Sequence, residues 1–305
     1  MYLQYFGIKK PPFRITPDTQ MFFDGCNRGD YLLALCYSVN EDEGITKVVG
    51  EVGTGKTMLC RILPSKADEN IDWVYLAHPS LSPIELLHSI ARELGLAANN
   101  DHDKSFLTTL IQQELIRRHS NNRRVVALVD EAQAMSIESL EEIRLLSNLE
   151  TDEHKLLQIV LFGQPELDEK ISHPQIRQLR ERITNHIRLQ PFELDDLQNY
   201  LNFRLRSVGY CGPDLFSVAV AKSILKYSHG LVRRVNIIAD HVLMAAYVNN
   251  RHTLTVNDVK CVSREQNYRP PFLKRFLNVR LGAFSYLTLI PLIAMIIGSP
   301  FQGAI

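Results

Sequence analysis

The chain has 305 residues, 45% of them hydrophobic and 22% charged, which excludes a disordered or fibrous protein and allows one large or two small domains. Lys and Arg (34) balance Asp and Glu (34), so the basic excess of a protein that coats DNA is missing, although a local basic patch is not excluded. The five cysteines (Cys26, Cys36, Cys60, Cys211, Cys261) are odd in number and form no CxxC pair, which argues against a disulfide framework or a zinc cage and for reduced thiols in a cytosolic compartment.

Residues 1–45 form an N-terminal segment. It opens MYLQYFGIKKPPF, without the basic start and apolar run of a signal peptide. Pro11, Pro12 and Pro17 prevent one regular helix over residues 2–23, and a helix is expected near 29–39. Residues 46–190 alternate apolar runs with amphipathic stretches. Strands are predicted at 46–50, 73–77, 125–129, 156–162 and 183–189, and helices from Lys56, over 84–94 and over 106–118. The last of these should bury Phe106, Leu107, Leu110, Ile111 and Leu115. Five apolar residues in a row at 125–129 indicate a strand covered on both faces, and the alternation implies a parallel sheet between helical layers.

Residues 191–263 switch to helical patterns alone, at 194–208, 215–227, 231–248 and 256–262, as expected for an all-α subdomain. Residues 264–280 are a basic linker, with Arg264, Arg269, Lys274, Arg275 and Arg280 against Glu265. No charge follows. Residues 281–299 read LGAFSYLTLIPLIAMIIGS, the length of a bilayer-spanning helix, with Pro291 in a position such a helix tolerates. The basic flank places the preceding part on the cytoplasmic side.

Gly50-Glu51-Val52-Gly53-Thr54-Gly55-Lys56-Thr57 fits G-x-x-x-x-G-K-[ST] without a mismatch, between a predicted strand and a predicted helix. Glycines let successive N–H groups turn toward a phosphate, and the helix start adds its positive end. Lys56 can reach β- and γ-phosphates, and the Thr57 hydroxyl can ligate Mg²⁺. The apolar run at 125–129 ends in Asp130-Glu131. Asp130 is placed to hold Mg²⁺ and Glu131 to polarise an attacking water, so ATP and Mg²⁺ are the expected cofactors and hydrolysis the expected reaction. The histidines show no metal-ligand spacing such as HExxH.

The segments EVGTGKT, LVDEAQ, RLLSNLET, LLQIVLFGQPEL and RQLRERI, with the opening YFGIKKPPF, resemble the AAA+ ATPases of the ExeA/GspA type, closest to the MSHA (mannose-sensitive haemagglutinin) type IV pilus biogenesis branch. The resemblance covers about residues 1–263. It implies an α/β P-loop NTPase (AAA+) core with an all-α lid, here followed by the C-terminal hydrophobic helix. It further implies a sensor residue at Gln164 and an arginine finger acting across a subunit interface, at Arg182, with Arg180 and Arg177 as alternatives. A second sensor arginine is implied at Arg233, where Val232 replaces the family's proline. His78-Pro79 replaces the family's Asn-Pro, whose amide can restrain the catalytic glutamate. Tyr5, Phe6 and Phe13 stand where an aromatic strap can pack on adenine.

Taken with the apolar tail, the resemblance implies an ATPase that self-associates, as a hexamer by the family pattern. It would sit at the inner membrane with its ATPase domain cytoplasmic, and its partners would be pilus or type II secretion assembly proteins. ExeA-type relatives continue into a peptidoglycan-binding domain; with Ile305 the last residue, cell-wall binding is not expected. The alternative is a DNA-binding ATP switch of the transposition-regulator kind; neutral net charge and the apolar tail disfavour nucleic acid as a partner.

Overall fold

The computed structural model describes residues 2–41, 44–77, 79–97, 99, 102–152 and 154–266. Five strands, β1 (Ile45–Gly50), β2 (Ile71–Leu76), β3 (Arg124–Val129), β4 (Gln158–Gly163) and β5 (Ile183–Leu189), form one sheet in the order β2-β3-β4-β1-β5. Every pairing is parallel. β1 and β4 are buried along their whole length, so alternation disappears from their sequence because both faces are covered. One face, through Ile45, Val49, Ala127 and Leu161, packs on α4 (Pro83–Glu93), α5 (Lys104–Ser120) and α6 (Ile137–Leu146). The other, through Val48, Val126 and Val160, packs on α2 (Arg28–Asn40) and α3 (Lys56–Ile62). A short α1 (Tyr2–Tyr5) opens the chain. Two short helices, α7 (Glu166–Ile171) and α8 (Arg177–Arg182), connect β4 to β5.

The helical part comprises α9 (Leu194–Ser207), α10 (Val218–Ser228), α11 (Val232–Val248) and α12 (Val256–Glu265). α10 starts at 218 rather than 215 because Ser217 caps it, accepting from the Val220 N–H. Its core includes Tyr2, Phe6, Ile8, Phe13 and Met21, so the N-terminal segment belongs to the packing of this subdomain. Tyr5 stacks on His252 with ring centroids 4.1 Å apart, and Phe13 packs edge-on against Phe216 at 5.6 Å. These aromatics are structural and do not line the cavity described below.

Helix α5 differs from expectation at one face. Leu107, Ile111 and Leu115 are buried, but Phe106 is exposed and packs on His102 at the helix start. The buried stripe is completed by Glu114, which accepts from Arg117 and Arg118, each at 2.7 Å. Arg118 continues to Asp72 on β2 at 2.8 Å and to the Leu94 carbonyl at 2.6 Å, tying α5 to its neighbours. The Arg117 hydrogen bonds, joined by those of Arg118 and opposed by burial, hold the Glu114 carboxyl down at about 2. Because the folded value lies below the ordinary one, this stabilisation is present above about pH 4.5 and is lost as pH falls towards 2. Glu114→Gln should therefore cost about 1–2 kcal/mol near pH 7, with the exposed Arg117 share discounted for screening. Urea melts should show that difference shrinking between about pH 5 and pH 3; a constant difference would refute the assignment.

Among the described residues, no helix is long and apolar enough to cross a membrane. The proposed span at 281–299, all of the basic linker beyond residue 266, and His78 lie outside the described residues.

Candidate nucleotide site

The strand order decides where the chemistry collects. β3, β4 and β1 are neighbours, so the loops at their C-terminal ends stand side by side, the place where open parallel sheets bind ligands. Val49 pairs with Gly163 and Val129 with Leu161, which brings the loop after Gly50, the Gln164 turn and Asp130-Glu131 to one edge.

In the loop, Gly53 and Gly55 have φ of +84° and +106°, the left-handed region that turns backbone N–H groups inward. Lys56 is 5% exposed, and its Nζ donates to the carbonyls of Gly50 at 2.7 Å and Glu51 at 3.1 Å. Burial lowers its pKa, against the raising effect of Glu131, Asp130 and Glu51. Asp130 is buried at the tip of β3, which raises its pKa, while the Glu131 N–H at 3.0 Å and the Thr57 hydroxyl work against the rise. The Asp130 carboxylate and the Thr57 hydroxyl beside Lys56 form an oxygen donor set suited to Mg²⁺ beside a phosphate.

Glu131 has φ +55°, uncommon for a residue with a side chain. Its Oε2 accepts from Gln164 Nε2 at 2.9 Å and from Gln133 Nε2 at 2.5 Å. The Gln164 N–H in turn donates to Gln133 Oε1 at 3.0 Å. Burial alone would raise the Glu131 pKa, but the two amide donors and Lys56 bring it below the ordinary glutamate range. Gln133 was not singled out from sequence, although it lies in the LVDEAQ segment.

The helical subdomain closes the site. α11 starts at Val232 with no side-chain cap at Leu231, yet one of its first free N–H groups is used: Arg233 N donates to the Gly53 carbonyl at 3.1 Å. A Cβ on Gly53 would lie 2.9 Å from the Arg233 Cβ, so this contact requires glycine. Gly230 fills a similar need, since a Cβ there would meet the Phe192 carbonyl at 2.3 Å. Arg28, also unforeseen, is 6% exposed; it donates to Thr54 O at 3.0 Å and lies 4.1 Å from the Phe192 ring centroid. It thus ties the loop to the start of the helical part.

A cavity of about 400 Å³ runs between the two parts. Lys56, Thr57, Glu131, Gln164 and Arg233 line it, with Arg14–Pro17 of the N-terminal segment on the far side. Arg182 and Arg180 do not line it. Arg182 is half-buried and donates to Ser147 O at 3.5 Å. Arg180 is exposed, and Arg177 pairs with Glu181 at 2.9 Å.

Comparison with known proteins places this geometry. Residues 39–171 match the AAA domain family. General secretion pathway protein A of Aeromonas hydrophila is 37% identical over 265 residues, which is 87% of this chain and 48% of that protein. The chain therefore spans about half the length of that relative. Cdc6p of Pyrobaculum aerophilum superposes with a TM-score of 0.63 at 18% identity, over 81% of this chain and 71% of that one. The ORC2 protein of Aeropyrum pernix, solved in ADPNP–ADP complexes, gives 0.61 at 15% identity over the same shares. The chain thus carries an AAA domain over residues 39–171, has the α/β AAA+ fold, a five-stranded parallel sheet closed by a helical lid, and is homologous to general secretion pathway protein A.

Proposed function

We propose that this protein is an Mg²⁺-dependent ATP hydrolase whose turnover moves the helical lid against the sheet core and so works on a membrane-bound secretion or pilus assembly. The observation that carries this reading is the convergence of Lys56, Thr57, Glu131 and Gln164 on one cavity, with Asp130 hydrogen-bonded to Thr57 behind them and the loop bonded to the lid at Arg233.

In this reading the backbone of Gly50, Glu51, Val52, Gly53, Thr54 and Gly55, together with Lys56, cradles the phosphates. Thr57 and Asp130 hold Mg²⁺, which when bound neutralises phosphate charge. Glu131 accepts the proton of the attacking water, Gln164 orients that water, and Arg233 reports the phosphate state to the lid. Because Arg233 lies in the first turn of α11 and its N–H donates to the Gly53 carbonyl, a change at the phosphates has a short hydrogen-bonded route into the lid.

Arg182 supplies positive charge to the site of a neighbouring copy in a ring of subunits, with Arg180 as the nearby exposed substitute. The relative's name supports a type II secretion setting, and the resemblance over about residues 1–263 supports the narrower MSHA pilus role. Segment 281–299 anchors the protein in the inner membrane, with the ATPase part cytoplasmic.

The test uses the full chain in vesicles of phosphatidylethanolamine and phosphatidylglycerol. ATP should be hydrolysed with Mg²⁺ and not with EDTA. Arg182→Ala and Glu131→Gln should each be inactive alone, yet their mixture should recover a measurable share of turnover. In mixed rings, an Arg182→Ala subunit keeps its own Glu131 and borrows its neighbour's arginine. Failure to recover would remove Arg182 from the interface, and absence of hydrolysis in the unaltered chain would sink the ATPase reading. Salt-sensitive DNA binding would favour the DNA switch instead.

A further inference from the structure

Arg204 stands seven residues after Leu197 on α9, on the stripe Leu197, Tyr200, Leu201, Arg204, Leu205 that faces the lid core, and it is 3% exposed. A guanidinium keeps its charge under all conditions in which a protein stays folded, so burying it requires partners for its N–H groups. Some are present. Nε donates to the Pro12 carbonyl at 2.6 Å, and the group lies 5.7 Å from the Tyr200 ring centroid. Nη2 is shut off from solvent and has no partner in the protein. Buried polar groups are so generally satisfied that an orphaned donor on a side chain lining a ligand cavity points to an acceptor brought by the ligand.

The position of that donor narrows the choice. Arg204 lines the large cavity and also a smaller apolar slot that opens from it, walled by Met58, Phe192, Tyr200 and Val232. Lys56, Thr57 and Glu131 line the large cavity and not the slot. A nucleotide with its phosphates on the loop at 50–57 therefore directs its flat base towards the slot. There, apolar walls take the faces of the base; of the two arginines that line the slot, Arg28 donates to Thr54 O and lies over the Phe192 ring, while Arg204 has the orphaned donor to offer the edge of the base.

Resting on the nucleotide reading above, we propose that Arg204 is a specificity-determining residue, its Nη2–H donating to a ring-nitrogen acceptor of the purine base. The same side chain, through Nε and Pro12, fixes the N-terminal segment over the bound base. Asn236 does likewise, accepting from the Tyr200 hydroxyl at 2.7 Å and donating to the Arg14 carbonyl at 3.1 Å.

The experiment measures dissociation constants of the full chain and of Arg204→Met for ATP, ADP and the 1-deaza, 3-deaza and 7-deaza analogues of ATP. One deaza analogue should bind the native chain about 10- to 100-fold more weakly than ATP, the range for a hydrogen bond to a charged group. That penalty should vanish in Arg204→Met, and the variant should lose ATP and ADP by the same factor. Release of the segment at Pro12 weakens all five nucleotides alike, so it cannot imitate the lost penalty. Three deaza analogues that bind the native chain as tightly as ATP overturn the proposal without any variant. So does a deaza penalty that survives in Arg204→Met, or a variant that loses ATP and keeps ADP, which would mark a phosphate contact. A native chain that binds no adenine nucleotide would overturn the nucleotide reading itself.

Discussion

Lys56→Ala should raise the dissociation constant for ATP by about 10²- to 10⁴-fold. Two charge-assisted hydrogen bonds to phosphate oxygens, at about 1.5–3 kcal/mol each, set that range. Local charge pushes the loss towards its upper end. Glu51, Asp130, Glu131 and Glu166 all act on the Lys56 ammonium. Without it the cavity presents carboxylates to a polyanion, so lost attraction is compounded by exposed repulsion. The fold should survive with reduced stability, because the carbonyls of Gly50 and Glu51 lose the donor that now serves both. Equilibrium binding of ATP, with thermal melts as the control for folding, checks the result. Affinity within tenfold of the native value would mean that the loop is not a phosphate cradle.

What could be read from the sequence was what local chemistry specifies. The glycines, Lys56 and Thr57 lie within eight consecutive positions, and Asp130-Glu131 directly follow a strand whose apolar run announces burial on both faces. Strand β4 begins at Gln158 rather than Leu156, because Leu156 and Leu157 extend the apolar run beneath the sheet without pairing in it. Helix α6, which is not among the predicted elements, buries Leu140, Ile143 and Leu146 together with Glu142, which is 2% exposed and ion-paired with Lys104. Phe106 was misplaced for the reverse reason: an aromatic at a helix start can be satisfied by a neighbouring ring rather than by the core.

The residues that were not legible owe their roles to contacts distant in sequence. Arg28 reaches Thr54 from 26 positions away, and Arg204 reaches Pro12 from 192. Arg204 did leave a trace, since a charged residue on the stripe Leu197, Leu201, Leu205 must be buried. No pattern within α2 distinguishes Arg28, because nothing in its own helix requires the contact. The lid's attachment through Gly53 was likewise hidden, as a backbone bond made by the first turn of α11 carries no side-chain signature.

Glu131→Gln should bind ATP nearly as tightly as the native chain and turn it over about 10²- to 10⁴-fold more slowly, the usual contribution of a positioned general base. The amide matches the carboxylate in shape and can still accept from one of the two glutamines that now converge on Oε2. The loop, Lys56, Asp130 and Thr57 keep their own contacts, so the ground state is little disturbed. What is lost is the capacity to take a proton from water. The native carboxyl is held ionised at neutral pH because Gln164, Gln133 and Lys56 outweigh the effect of burial. Both glutamines donate to Oε2, so in the proposed mechanism Oε1 would take the proton of the water, while Gln164, which follows β4 directly, would hold the carboxylate in place beside it. Single-turnover measurements with radiolabelled ATP should find unhydrolysed nucleotide retained in the variant at stoichiometry with its sites. Lys56→Ala should retain none, and this contrast separates the binding step from the chemical one. Turnover within tenfold of native in Glu131→Gln would move the base to another group and leave the carboxylate as a structural acceptor for Gln133 and Gln164.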